Sequence, residues 1–269
     1  MVPRLSSTLS ILFSLSSAAF GQLDMGARIT AMGNTGATAT GPWSINANPA
    51  GLGIVTRSTL ALGYTSIMNL TELSTQSAIL VVPLRQNRLG LSIQRYGFSA
   101  FNTLTAGFVY GKQFGNDFGL AVRLNYHQVS AEGYGSATGF TLDIGAQFLV
   151  SKEITIGGYI SNPSRQKYPV ELINYPIPSN YNIGLSWLPS ERLLLAASLV
   201  KEHLLSTDFR LGLEYSPLHM LSLRGGISIK PLRHYAGFGF IHKTLDLAFA
   251  VTSDPYLGYR PQISAGYEW

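Results

Sequence analysis

The chain has five histidines in 269 residues, and one of them stands near groups with which it could share a proton. His127 is followed by Ser130 and Glu132, the residue types of a base, a nucleophile and an orienting carboxylate. The spacing argues against that chemistry. Residues 127 and 130 of an extended strand point to opposite faces, so only a bent loop would join them. The trio is therefore read as polarity at a strand end. His203, His219, His234 and His242 fall at expected strand ends or turns, and no pair has zinc-ligand context. The glycines of Gly133-Tyr134-Gly135 do not sit between a strand and a helix start, as a phosphate loop requires. No cysteine is present, which removes disulfides, thiolate sites and a lipid-anchored amino terminus. No catalytic residue, metal or cofactor is expected.

The elements around these histidines alternate. In the last eight residues Ile263, Ala265, Tyr267 and Trp269 share one face, and Gln262, Ser264, Gly266 and Glu268 the other. A period of two, apolar outward and polar inward, marks a strand with lipid on one side and a lumen on the other. The aromatic pair Tyr267 and Trp269 is the expected carboxy-terminal assembly signal, read by barrel-assembly machinery. The same pattern recurs in Leu104–Tyr110, Phe118–Tyr126, Phe140–Phe148 and Phe209–Tyr215. Short polar connections are expected at Arg85–Arg88, Gly115–Asp117, Ser151–Glu153, Pro189–Glu191, Ser216–His219 and His242–Thr244. Each joins one strand pair. With Ser58–Thr65 and Gln262–Trp269 the total is fourteen, an all-β antiparallel transmembrane barrel over residues 58–269.

Composition agrees. Hydrophobic residues make up 46% and charged residues 12%, with 28 Gly, 14 Tyr and 13 Phe, yet beyond the amino terminus no apolar run is long enough for a membrane helix. The net charge of +5 is scattered rather than gathered into a stripe, which excludes a nucleic-acid partner. Residues Met1–Gly21 carry Arg4, an apolar stretch from Leu9 to Phe20, and small Ala19 and Gly21. This is the pattern of a secretory signal peptide cleaved before Gln22, and the expected destination is the bacterial outer membrane and its lipid.

Charges on the strands must face the lumen, because a charge in hydrocarbon costs several kcal/mol. Arg123, Asp143, Asp208, Arg210, Glu214, Arg224, Asp246 and Glu268 include both signs, so an interior network of ion pairs is expected. At the other strand ends most connections are short. The longest, Asn162–Ser179, carries Pro163, Pro169, Pro176 and Pro178 with Val170, Leu172, Ile173 and Tyr175. It reads either as a contact surface or as a cover folded over the barrel mouth. Tyr126–Gly139 and Ser253–Pro261 read as further mobile rim elements.

Residues 22–57 do not alternate. Their glycines and small residues suit a backbone packed closely in a confined space, and Asn48-Pro49 favours a turn or helix start. A plug within the lumen satisfies both. The motif Gly26-Ala27-Arg28 with Ala31-Met32-Gly33, followed by Trp43 and Asn48-Pro49-Ala50-Gly51-Leu52, resembles the amino-terminal hatch of FadL-like outer-membrane barrels, and within them is most similar to the PorV/PorQ group. The resemblance implies that Asn48, Pro49, Ala50, Gly33 and Gly51 fix the turn of the hatch and that Trp43 anchors it or simply packs. It also implies two kinds of work. One is passage of a hydrophobic molecule, such as a long-chain fatty acid, through the barrel. The other is partnership with proteins of type IX secretion or surface assembly. Short loops and a plugged, charge-paired lumen direct the expectation to the second, a non-enzymatic scaffold, with hydrophobic transport as the alternative.

Overall fold

The alternating segments close into one antiparallel barrel in the computed structural model, which describes residues 23–68, 70–169, 176–203 and 205–269. The expected signal peptide and Val170, Leu172, Ile173 and Tyr175 of the long loop lie outside the described residues. Strands β1 (Thr59–Ile67), β2 (Leu70–Leu84), β3 (Asn87–Gly97), β4 (Phe101–Phe114), β5 (Phe118–Ala131), β6 (Gly135–Leu149) and β7 (Ile154–Ser161) form one half. Strands β8 (Asn180–Ser190), β9 (Leu193–Glu202), β10 (Asp208–Leu218), β11 (Leu221–Ile229), β12 (Leu232–His242), β13 (Leu245–Asp254) and β14 (Gly258–Glu268) form the other. Each pairs with its neighbours in sequence, and β1 pairs with β14 from Thr59↔Glu268 to Thr65↔Gln262. Closure leaves no strand edge without a partner, which a hydrocarbon environment demands.

Alternation decides what faces where. Phe108, Tyr110, Leu120, Val122, Leu124, Phe140, Leu142 and Ile144 are exposed on the outer wall, whereas Arg123, Asn125, Asp143, Asp208 and Arg224 are buried within. Tyr267 and Trp269 are exposed at the closing seam with stacked rings, and the Trp269 amide donates to Ser58 O at 3.0 Å.

Three expected boundaries shift for identifiable reasons. Strands β8 and β10 run through Pro189 and Pro217, and their registers slip between Trp187 and Ser190 and between Tyr215 and Leu218. A proline cannot donate to the ladder and is tolerated where the pairing is already irregular. The expected rim element Tyr126–Gly139 is mostly strand, because Gly133 and Gly135 take φ of 79° and 86° and turn the chain within three residues.

The amino-terminal segment packs against the inner wall. It forms a short helix α1 (Gly26–Ala31) and two 3-10 turns, η1 (Pro42–Asn46) and η2 (Pro49–Ile54). Ile29, Trp43, Ile45 and Leu52 join inward Ala61, Ile79, Val81 and Val109 in one apolar cluster. Complete burial of Ile45 and Leu52 contributes about 1.5–3 kcal/mol each.

Candidate functional site: the hatch, its cradle and the two cavities beside it

Asn48 organises the segment. Its Oδ1 accepts from Ala50 N at 3.1 Å and caps η2, with Pro49 in the first-turn position that needs no N–H donor. Its Nδ2 donates to Ala37 O within the segment at 2.6 Å and to Ala146 O of the wall at 2.9 Å. A fully buried amide thus joins hatch to barrel. The wall answers with glycines on its inner face. A Cβ at Gly145 would stand 2.9 Å from Pro49 Cδ, one at Gly237 2.6 Å from Ala31 Cβ, and one at Gly212 2.9 Å from Met32 Cβ. These distances are below any normal Cβ contact, so the strands carry glycine at these three points of contact with the plug.

The other hatch residues singled out by the sequence also lie at close approaches. Gly33, with φ of 72°, sits against the β10–β11 ladder, where a Cβ would meet Leu211 O at 2.6 Å. Trp43 is buried between Gly26 of its own segment and Gly63 of the wall. Ala50 is buried in the apolar cluster, and a Cβ on Gly51 would strike the Ala39 carbonyl.

The expected ion-pair network is present in part. Glu214 accepts from Arg224 Nε at 2.5 Å and from the hatch residue Arg28 at 2.9 and 2.8 Å, and Arg210 pairs with Asp208 at 2.7 Å. Arg123 instead donates to Ile45 O of η1 at 3.0 Å and to Ser92 Oγ at 2.9 Å, although Asp143 is its cross-strand neighbour. Asp143 accepts from Asn125 Nδ2 at 2.8 Å and from Asn162 N at 3.1 Å. Asp246 Oδ1 has no hydrogen-bond partner, and Glu268 stands outside the ion pairs found among the described residues. Sequence reasoning gave no role to Arg28 or Asp24. The Asp24 carboxylate accepts from Ser77 Oγ at 2.6 Å, Gly26 N at 2.8 Å and Gln262 Nε2, and burial pushes it above the ordinary carboxylate range against the lowering effect of those donors. The Glu214 carboxylate beside Arg28 holds that guanidinium still more firmly protonated.

Two of the cavities bear on passage past the hatch. On its loop side is a chamber of about 90 Å³, lined among others by Thr105, Asn125, His127, Thr141, Met25 and Ile177. The His127 ring nitrogens face the hydroxyls of Thr105 at 3.3 Å and Thr141 at 2.9 Å, while Ser130 Oγ accepts from Gln128. His127, Ser130 and Glu132 are therefore not brought together as a catalytic trio. The described part of the long loop folds over this chamber, with Ile177 buried and held through its carbonyl by Asn162 Nδ2 at 2.8 Å.

The second cavity is an apolar groove of about 530 Å³ on the lipid-facing wall across β6–β9. Small outward residues Ala146, Gly158 and Ala197 form its floor, and Phe148, Ile156, Ile183, Leu199 and Phe209 surround it. Behind the floor the inward residues Gly157 and Gly184 pair across β7 and β8. Both abut Ala37 of the hatch segment: a Cβ on Gly157 would lie 3.0 Å from Ala37 C, and one on Gly184 2.8 Å from Ala37 Cβ. At this seam only backbone separates the plug from the groove.

No protein-family model and no curated protein sequence matches the chain. Solved structures do. The toluene transporter TodX of Pseudomonas putida aligns at 13% identity with a TM-score of 0.72, covering 93% of this chain and 99% of that one. The toluene transporter TbuX of Ralstonia pickettii aligns at 14% identity and 0.66, covering 93% and 98%. A Pseudomonas aeruginosa FadL homologue aligns at 13% identity and 0.62, covering 92% and 98%. At this identity the likeness establishes the fold alone, a closed barrel like those of these three proteins. It also corrects the expectation of a secretion or surface-assembly scaffold. TodX and TbuX are toluene transporters, and variants of TodX are described as a monoaromatic hydrocarbon channel. Short loops and a filled lumen leave little room for a freely conducting pore, but hydrophobic transport, the alternative reading, needs neither long loops nor an open pore.

Proposed function

We propose that the chain is an outer-membrane channel for small, largely hydrophobic molecules, exported by the leader Met1–Gly21 and not an enzyme. The permeant enters the chamber at the loop side, passes between hatch and wall, and leaves into the bilayer at the seam of β7 and β8. The observation that carries this reading is the glycine-walled seam: the apolar groove lies on its lipid side and Ala37 on its lumen side. A water-filled route for ions is opposed by the buried apolar cluster of hatch and wall, whereas a hydrophobic molecule gains free energy on entering a groove of this size, within the usual range for ligand pockets. Closeness to the PorV/PorQ group within the fold rests on the Gly26–Leu52 motif and is proposed without a secretion role.

The test is uptake of labelled ethylbenzene and benzyl alcohol by cells with a lipopolysaccharide outer membrane, with and without the protein. Expression should raise the initial rate several-fold for at least one of them. Ala197→Phe, which fills the groove floor from the lipid side, should return it towards the vector level. Uptake equal to vector with folded protein in the membrane sinks the reading.

A further inference from the structure

The apolar groove of the outer wall runs, towards the loop end of the barrel, into a cation. Resting on the channel reading, we propose that between passages the groove holds one acyl chain of a phosphorylated glycolipid of the outer leaflet, of the lipid A type, with its phosphate at Lys201. The strand registers place the two parts together. Gly158, Ile183 and Leu199 form one outward row of the groove across β7, β8 and β9. The next outward row towards the loops is Ile160, Tyr181 and Lys201, about 7 Å further along the strands. Lys201 is exposed, and its ammonium donates to Leu205 O at 2.6 Å, which leaves two N–H groups for an anion. No acid pairs with it among the described residues, and the half-buried Glu202 beside it points inward. The described residues of the β7–β8 and β9–β10 connections include Arg165 and Lys167, both exposed, and no acid.

A hollow in a hydrocarbon-facing wall is filled, because an empty one forfeits dispersion contacts. Filling it with a lipid chain gains nothing from the hydrophobic effect, since the chain leaves surroundings as apolar as the wall. Close packing on the small residues Ala146, Gly158 and Ala197 and the choice of head group then decide which lipid stays. A cation at the interface favours an anionic head group over a neutral one, and Tyr181 sets an amphipathic ring at the same level. A second copy of the chain fits less well. Two copies in one membrane share their up-down orientation, so a two-fold contact through this face would set Lys201 against Lys201 and hollow against hollow. The held chain covers the floor in front of Gly157 and Gly184, so a permeant leaving at the seam displaces it.

The test is native mass spectrometry of the full chain in mild detergent with equimolar lipid A, phosphatidylglycerol and phosphatidylethanolamine. The expected result is one retained lipid A, favoured over phosphatidylethanolamine by about fivefold or more. Lys201→Gln should lower retention of lipid A about fivefold and leave that of phosphatidylethanolamine unchanged. Lys201→Arg should keep it, and Ala197→Phe, which fills the floor, should reduce it. In cells, Lys201→Gln should raise the initial uptake of benzyl alcohol, because the chain at the exit is displaced more easily. Equal retention of lipid A and phosphatidylethanolamine by the unaltered protein, or a preference that survives Lys201→Gln, overturns the site. Phosphatidylglycerol held as tightly as lipid A overturns the assignment to the outer-leaflet glycolipid. Each of these outcomes leaves the channel reading standing, and that reading falls separately if uptake is absent while lipid A is retained.

Discussion

The Asn48 side chain of the hatch lies against Gly145 of β6, and it bonds the carbonyl of the next wall residue, Ala146, at 2.9 Å. The amide can reach that carbonyl only because the wall has no side chain at 145.

Gly145→Val should therefore push η2 out of place, with an overpacking cost of about 1–3 kcal/mol. Gly111→Ala is the contrast, since a Cβ there meets nothing closer than Ala121 Cβ at 3.6 Å. Denaturant unfolding in detergent should register a loss for the first and little change for the second.

Asn48→Ala removes the cap on Ala50 and leaves the Ala37 and Ala146 carbonyls short of a donor. The expected cost is about 1–3 kcal/mol, localised to the hatch. Hydrogen exchange should accelerate at the amides of Ala50 and Gly51 while the β5–β6 ladder keeps its protection.

Glu214 holds one arginine of the hatch and one of the wall, so Glu214→Gln strands two cations with one change. Breaking a fully buried pair costs about 3–5 kcal/mol. The cost here is smaller, because the Arg28 side chain is 33% exposed. A double-mutant cycle of Arg28→Met and Glu214→Gln should yield a coupling energy, and a single-channel recording of Glu214→Gln should show more frequent openings than the unaltered barrel.

Asp24 sets a pH dependence. Its folded pKa lies above the ordinary value of 3.8, because burial disfavours the charged form more than the donors favour it. The folded state then holds more protons than the unfolded state in the interval between the two values. Stability is fully present below 3.8 and falls as pH rises through that interval, by at most about 1.4 kcal/mol per pH unit. Asp24→Asn mimics the neutral acid, with Oδ1 still accepting from Gly26 and Gln262 and Nδ2 able to donate to Ser77. Its hatch stability, followed by proteolysis at a series of pH values, should lose this slope.

Much of this was legible because the physics was local. Alternation at Phe140–Phe148 gives the outer face and, by exclusion, the buried side chains of Asp143 and Gln147. The turns at 85–86 and 243–244 follow from polar tips. The glycine- and Asn-Pro-rich stretch was readable as a plug for the same reason: small residues at such density suit only a crowded place. What was not legible depended on pairs far apart in sequence. Arg28 meets Glu214 across 186 positions and Asp24 meets Gln262 across 238, with no local signal for either. Arg123 was expected to pair with an acid, yet it reaches the Ile45 carbonyl because the hatch supplies an acceptor nearer than solvent. Inward glycines such as Gly157 and Gly184 were present in the alternation as missing side chains, and that absence was the signal of the seam. It was overlooked because a glycine in a strand also marks a bend.

The seam can be locked. The chain has no cysteine, so Ala37→Cys with Gly184→Cys introduces one possible disulfide between hatch and wall. The Cβ positions stand 2.8 Å apart, so hatch and wall must part by about 1 Å to reach bonding geometry, and β8 must also ease away from the Ala197 carbonyl, 2.5 Å from the new Cβ. Uptake of labelled benzyl alcohol by cells carrying this variant should be lost on oxidation and restored by reductant, while either single cysteine variant is indifferent to both. Equal uptake by the oxidised and reduced double variant, with the disulfide verified by mass spectrometry, would contradict passage between hatch and wall at this seam.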